Sequence, residues 1–242
     1  MTERHAILAG QRGWQVQDSD RFVGHVHREV FDRELLQVKE YVVRMGVLAE
    51  TAIDSAISAM ARRDVESAAA VIAGDRSINE AQAELMTLIA TTIATQSPVA
   101  TDLRFLISLA HVAFELERIG DHAAGVARQV TKLEPMVAVG DSSLVTIGEL
   151  ASSLLHCVLR SLVDLNAQEA RTIAGRDDEI DRLYHAYFER VLEHMRTDPK
   201  WVETGAHLLF AAKDLERIGD RATNIAEHVV FLSTGEIEDL NP

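Results

Sequence analysis

From Phe31 onward the apolar positions advance in alternating steps of four and three: Phe31, Leu35, Val38, Val42, Met45, Ala49, Ala52, Ala56 and Ala59. A 3.5-residue period held over this length predicts a bundle helix across residues 28–62, roughly 50 Å long at 1.5 Å per residue. The alanines at its far end imply close approach by neighbours. A second helix is predicted over 64–96, with Gly74 as a candidate bend or break. Ser97-Pro98 then punctuates, Ser97 as a cap and Pro98 at the first position of a third helix over 98–133. Leu109, Val112, Leu116, Ile119, Ala123, Val126 and Val130 share one face of that helix. Pro135 and Gly140 mark the break between halves.

The second half repeats the plan. A helix over 142–173 carries Leu144, Ile147, Ala151, Leu154, Val158 and Leu165. Another covers 176–196. Asp198-Pro199 is a junction with the aspartate as cap, and the last helix spans 199–233. Residues 1–27, polar and broken by Gly10, Gly13 and Gly24, read as a mobile tail on which Trp14 and Phe22 are the docking candidates. The acidic end, 236–242, reads as frayed. No strand or hairpin signal is present. The expected fold is all-α: two pseudo-symmetric antiparallel three-helix bundles, residues 28–136 and 137–242, with six main helices.

Composition narrows the function. Thirty-eight acidic residues against 24 basic ones give a net charge of −14. A field of that sign repels phosphate backbones and argues against nucleic-acid binding. It suits cations or a basic protein surface. The one cysteine, Cys157, excludes an internal disulfide, fits a cytoplasmic setting and reads as a packing thiol. No secretory signal is visible. The longest uncharged run, 85–101, contains Pro98 and several polar residues, so membrane association is expected to be peripheral at most.

A nine-residue phrase occurs twice: Glu115-Leu116-Glu117-Arg118-Ile119-Gly120-Asp121-His122-Ala123 and Asp214-Leu215-Glu216-Arg217-Ile218-Gly219-Asp220-Arg221-Ala222. The copies lie 99 residues apart and imply duplication of one structural unit. In each, a Glu-x-x-x-Asp core sets two carboxylates one helical turn apart, directed away from the apolar face. The acids are therefore expected on an outward or groove-facing stripe. The middle helices carry a matching pair, Asp75 with Asn79 and Asp177 with Asp181. Glu117 and Asp121 with Asp75 and Asn79, and Glu216 and Asp220 with Asp177 and Asp181, form two candidate oxygen-ligand sets for a hard or borderline cation. The bland alternative is a charged docking surface, because surface helices tolerate the ~0.2–0.5 kcal/mol repulsion of acids one turn apart. Gly120 and Gly219 recur at one place in mid-helix, where glycine costs about 1 kcal/mol relative to alanine, so close backbone packing is expected there. His122 is expected to be a surface histidine rather than a ligand. None of the ten histidines completes a Glu-x-x-His pair, which counts against a ferritin-like oxidase. No phosphate loop, dinucleotide glycine motif, zinc His-Glu-x-x-His or nucleophile elbow is present, and no catalytic site is expected.

The doubled Leu-Glu-Arg-Ile-Gly-Asp resembles the PhoU family of bacterial phosphate-signalling accessory proteins. Phe31-Asp32-Arg33-Glu34-Leu35, Met45-Gly46, Pro98-Val99-Ala100-Thr101-Asp102-Leu103-Arg104 and Asn224-Ile225-Ala226-Glu227 support it, and the likeness covers about residues 27–233. The resemblance implies a fold of two three-helix bundles and a cytoplasmic, non-enzymatic negative regulator of the phosphate-starvation response. It implies an adaptor between the ATPase subunit of a phosphate ABC transporter and a sensor histidine kinase, working as a homodimer. It also implies a metal ion (iron, zinc, manganese or magnesium) at Glu117 and Asp121 and at Glu216 and Asp220, with Asp75 and Asn79, and Asp177 and Asp181, as partners. Gly125 and Arg128 stand where the second copy has Asn224 and Glu227, so the first site is expected to differ in affinity and to be the weaker. A metal-storage protein, a metal-dependent enzyme on a helical bundle and a purely structural scaffold are the rival readings.

Overall fold

The computed structural model describes the backbone over residues 4–133 and 142–241, and side chains over 29–133 and 142–241. Within these residues the chain is helical throughout, with no strand: α1 (Arg4–Arg62), α2 (Val65–Gln96), α3 (Ala100–Val130), α4 (Ser143–Asp164), α5 (Ala167–Ala174), α6 (Asp177–Thr197), a 3-10 turn (Pro199–Trp201) and α7 (Val202–Thr234). Helices α1–α3 pack on one another as one trio. In the other, α4 and the α5–α6 rod pack on α7. Among the described residues no helix is long and apolar enough to cross a membrane.

The 3.5-residue stripe of α1 is buried at Phe31, Val38, Val42, Met45, Ala49, Ala56 and Ala59, while Leu35 and Ala52 pack at its border. All seven positions of the α3 face are buried. Each methylene group removed from water on such a seam contributes about 0.8 kcal/mol, and alanine lets the backbones close up without displacing larger groups.

Several boundaries differ from the sequence-based expectation. Helix α1 begins at Arg4 rather than near 28, so residues 4–27 extend the helix and are not a separate tail. The docking of Trp14 and Phe22 lies outside the described side chains. Ser97 does not cap α3. It takes a left-handed conformation (φ 47°) and terminates α2, donating its N–H to the Ile93 carbonyl, and α3 starts at Ala100 without a side-chain cap. The helix expected over 142–173 stops at Asp164: Leu165 is left-handed (φ 50°), and Asn166 caps α5 by accepting from the Glu169 N–H. The first half breaks at the equivalent place, 102 residues earlier. There Arg63 is left-handed (φ 55°) and Asp64 caps α2 by accepting from the Ser67 N–H at 3.0 Å. Gly74 does not break α2, which is continuous. The corresponding rod of the second half is the one that breaks, at Gly175-Arg176 between α5 and α6.

The trios meet through a pseudo-two-fold contact. On α1 and α4, Ser152 Oγ donates to Asp54 at 2.7 Å and His156 Nδ1 lies 3.0 Å from Glu50. Shifted by 102 residues, Asp54 becomes His156 and Glu50 becomes Ser152, so each pair maps onto the other. Gly46 and Gly148 obey the same operation. A Cβ at Gly46 would lie 2.7 Å from Leu159, and one at Gly148 would lie 2.6 Å from Ile57. On α3 and α7, Arg221 reaches Glu115 at 3.4 Å and His122 Nδ1 lies 3.0 Å from Asp214. These pairs also exchange under the repeat offset. The contact is isologous, like that of a two-fold dimer, but lies within one chain.

Candidate functional site

Each trio has a groove between its middle helix and its motif helix, and the predicted acids line it. In the second half, oxygens of Asp181, Glu216 and Asp220 lie within 4.8 Å of one another. Asp177 adjoins them from the first turn of α6, where the helix dipole favours negative charge. The stripe expected to face outward or into a groove faces the groove, and two acids of the set are buried there. Asp177 is 3% exposed and Glu216 is 8% exposed. Glu216 lies off the apolar face of α7 on a side that α6 covers, whereas Asp177 lies one turn before the buried Ile180 on the packed face of α6. Asp177 Oδ1 and Glu216 Oε2 are buried without a hydrogen-bond partner.

Burial, then the charges of Asp181, Asp220 and Glu216, push the Asp177 carboxyl up to about 7. Asp181 is raised as well, by burial and Asp220. Basic side chains offset the charge only at the rim: Lys213 donates to Glu216, and Arg217 pairs with Asp220 at 3.0 Å.

The first half holds a diluted version. Asp75 is raised by burial and by Asp121, and Glu117 by burial and then Asp121, so the three acids share one groove. Asp75 Oδ1 and Asn79 Oδ1 are buried and unpartnered. Among the described residues no three acids of this half approach as closely as the second-half trio. Asn79 Nδ2 donates to Asp75 Oδ2 at 3.4 Å, a neutral amide where the other groove has Asp181. Arg128 bonds the Asp121 carbonyl at 3.3 Å and draws Asp75 downward.

The repeated glycines make both grooves. A Cβ at Gly120 would sit 2.7 Å from Ile78 and 3.1 Å from Asp75 Oδ1, and one at Gly219 would strike Asp177 Oδ1. Close packing was the expectation, and the partners are the middle-helix residues of each set. His122 is neither a free surface group nor part of an acid set, since it pairs with Asp214 across the halves. Cys157 is half-buried against the core and accepts from Arg176 at 3.5 Å.

Residues 236–241 are held rather than frayed. Glu238 makes a bidentate pair with Arg171 at 2.6 and 2.8 Å, Glu227 accepts from the Leu240 N–H at 2.9 Å, and Leu240 packs on the core. Asn241 then reaches the second groove. No periodicity in residues 236–241 signals this, because the segment is held by separate side-chain contacts.

A duplicated all-α bundle with one acid groove per repeat is the class of protein that this architecture defines. The family model described as PhoU domain matches residues 42–130 and 144–229, one copy in each half. The chain belongs to the PhoU family. It is 38% identical over 209 residues to a phosphate-specific transport system accessory protein PhoU homolog of Caulobacter vibrioides, covering 85% of this chain and 90% of that one. The crystal structure of the phosphate transport system regulatory protein PhoU from Streptococcus pneumoniae superposes with a TM-score of 0.82 at 32% identity, over 86% of this chain and 99% of the other. PhoU from Pseudomonas aeruginosa gives 0.82 at 31% identity, over 85% and 100%.

Proposed function

We propose that this chain regulates phosphate uptake as a non-enzymatic cytoplasmic adaptor. It joins the ATPase subunit of a phosphate ABC transporter to a sensor histidine kinase and, when phosphate is plentiful, holds the kinase in its non-phosphorylating state. The family match across both halves carries this reading. Docking must differ in affinity between transporter states, since a partner that binds all states equally transmits nothing. The net charge of −14 favours basic partner patches, with association weakening as salt rises. The test is kinase autophosphorylation in membranes at high phosphate. Added protein is expected to suppress it, and equal phosphorylation with and without the protein overturns the adaptor role.

The two grooves serve in this reading as cation sites. The donor set fits a hard or borderline ion such as manganese, magnesium, iron or zinc: oxygen ligands only, two buried unpartnered oxygens in each groove, and in the second an aspartate whose proton a cation would replace. A bound ion would supply positive charge between two helices that otherwise repel. Asp177, Asp181, Glu216 and Asp220 would hold it in the second groove, and Asp75, Asn79, Glu117 and Asp121 in the first. The unpartnered oxygens favour one rival reading, a metal-storage protein or metal-dependent enzyme. Replacing Glu117, Asp121, Glu216 and Asp220 with alanine separates the two. Loss of metal with regulation intact shows that the ion is not the signal.

A homodimer completes the reading. Val43, Val47 and Val163 are exposed beside a cavity of about 430 Å³ between α1 and α4, an apolar face that a second copy would cover.

A further inference from the structure

The segment after α7 takes a course directed at the second groove. Gly235 turns the chain in a left-handed conformation (φ 80°), its N–H donating to the Phe231 carbonyl at 2.9 Å. The Arg171–Glu238 pair and the Leu240–Glu227 bond fix the return. Asn241 Nδ2 then donates to Asp177 Oδ2 at 3.3 Å and to Asp220 Oδ1 at 3.4 Å, bridging acids of α6 and α7.

Without a cation, the donor end of the amide faces the two acids. The two ends of an amide have nearly the same size, and a half-turn of the terminal group exchanges them. Cis oxygen ligands around an ion with bonds of about 2.1–2.4 Å stand roughly 3.0–3.4 Å apart. The amide already holds that separation from two of the acids, and Asp177 and Glu216 are more than nine-tenths buried with Oδ1 and Oε2 lacking a hydrogen-bond partner, Arg217 Nε standing 4.0 Å from the latter.

We propose that Asn241 is a ligand of the second site: its Nδ2 bridges the acids in the cation-free state, and its Oδ1 turns inward to bind the ion, so that occupancy tightens the C-terminal strap. This rests on the cation reading of the grooves. It gives the second groove a neutral amide oxygen, which Asn79 provides in the first.

Titration calorimetry of the full chain with Mn²⁺, using wild type, Asn241→Ala and Asn241→Asp, tests it. Asn241→Ala is expected to weaken the tighter Mn²⁺ site roughly tenfold or more, the scale on which supporting groups act at metal sites. Asn241→Asp, which keeps an oxygen, is expected to bind at least as well as wild type. Mn²⁺ is also expected to slow amide hydrogen exchange of residues 236–241 in wild type but not in a Glu216→Gln/Asp220→Asn variant. Unchanged or tighter binding by Asn241→Ala overturns the ligand role and leaves the cation reading standing. Weakening by both substitutions also overturns it, because the aspartate keeps an oxygen at that place and would have failed to replace the amide's. Failure of the wild-type chain to bind Mn²⁺ overturns both readings together.

Discussion

The two grooves share a plan but differ in charge. The second gathers four carboxylates, with basic groups only at its rim. The first has three, with Asn79 in place of the fourth and Arg128 beside the motif helix. Repulsion among buried acids is the difference that matters. Burial first, and then that repulsion, raises Asp177 to about 7, while Asp75 is drawn partly back by Arg128 and Asn79. Duplication preserved the backbone that builds a groove, but single substitutions set how strongly each groove favours a cation.

The sharpest way to break the comparison is to fill the glycines. Gly219→Ala drives a methyl group into the Asp177 carboxylate, which is buried at the start of α6. It is expected to lower stability by about 2–3 kcal/mol. Gly120→Ala meets the movable end of Ile78 first, and the roughly 1 kcal/mol gain in helix propensity offsets part of the clash. Urea unfolding of both variants checks this, and equal losses would mean that the two glycines do the same job.

Cation affinity comes next. Glu216→Gln with Asp220→Asn is expected to weaken the tighter Mn²⁺ site by about 100-fold, or ~2.7 kcal/mol, while Glu117→Gln with Asp121→Asn affects only the weaker one. Adding charge to the first groove with Asn79→Asp should strengthen it about tenfold. No gain in calorimetry would show that charge is not what separates the sites.

The pH dependence is smaller. Asp177 is raised in the folded state, so its contribution to stability is fully present below its ordinary value of 3.8 and is lost as pH climbs towards about 7. At ~1.4 kcal/mol per pKa unit, and discounted for screening at the mouth of the groove, the loss across that window is on the order of 2 kcal/mol in metal-free protein. Thermal melts of wild type and Asp177→Asn in chelator, at about pH 4 and pH 8, should differ by that amount. The corresponding Asp75→Asn comparison should differ less.

The weakest expected effects lie at the contact between halves. His122→Ala and Arg221→Ala remove equivalent members of the reciprocal pairs, and each should cost about 0.5–1 kcal/mol, measured by denaturation. Arg221→Ala should cost the less, because Asn224 still donates to Glu115 at 3.3 Å once the guanidinium is gone.

Much of this was legible in the chain. The 3.5-residue stripe of α1 and the seven-residue face of α3 point inward as the spacing requires. The Glu-x-x-x-Asp pairs face the middle-helix pairs that sequence matching assigned to them. The break at Leu165 left only a weak signal: Asn166 is a cap residue that accepts from the Glu169 N–H, but a leucine in a left-handed turn carries no mark of its own. Asn241 carried no local signal, because its partners lie 21 and 64 residues away.

The sequence alone determined the duplication, the helical rods and which oxygens could converge, because periodicity and spacing are properties of a single helix. Only the tertiary structure decided which of those oxygens are buried, that the halves meet through reciprocal pairs, and that the C-terminus returns to one groove and not the other. Those outcomes depend on what a neighbouring segment places against a helix face, and water, a cation or another carboxylate there changes the energy of one side chain by several kcal/mol.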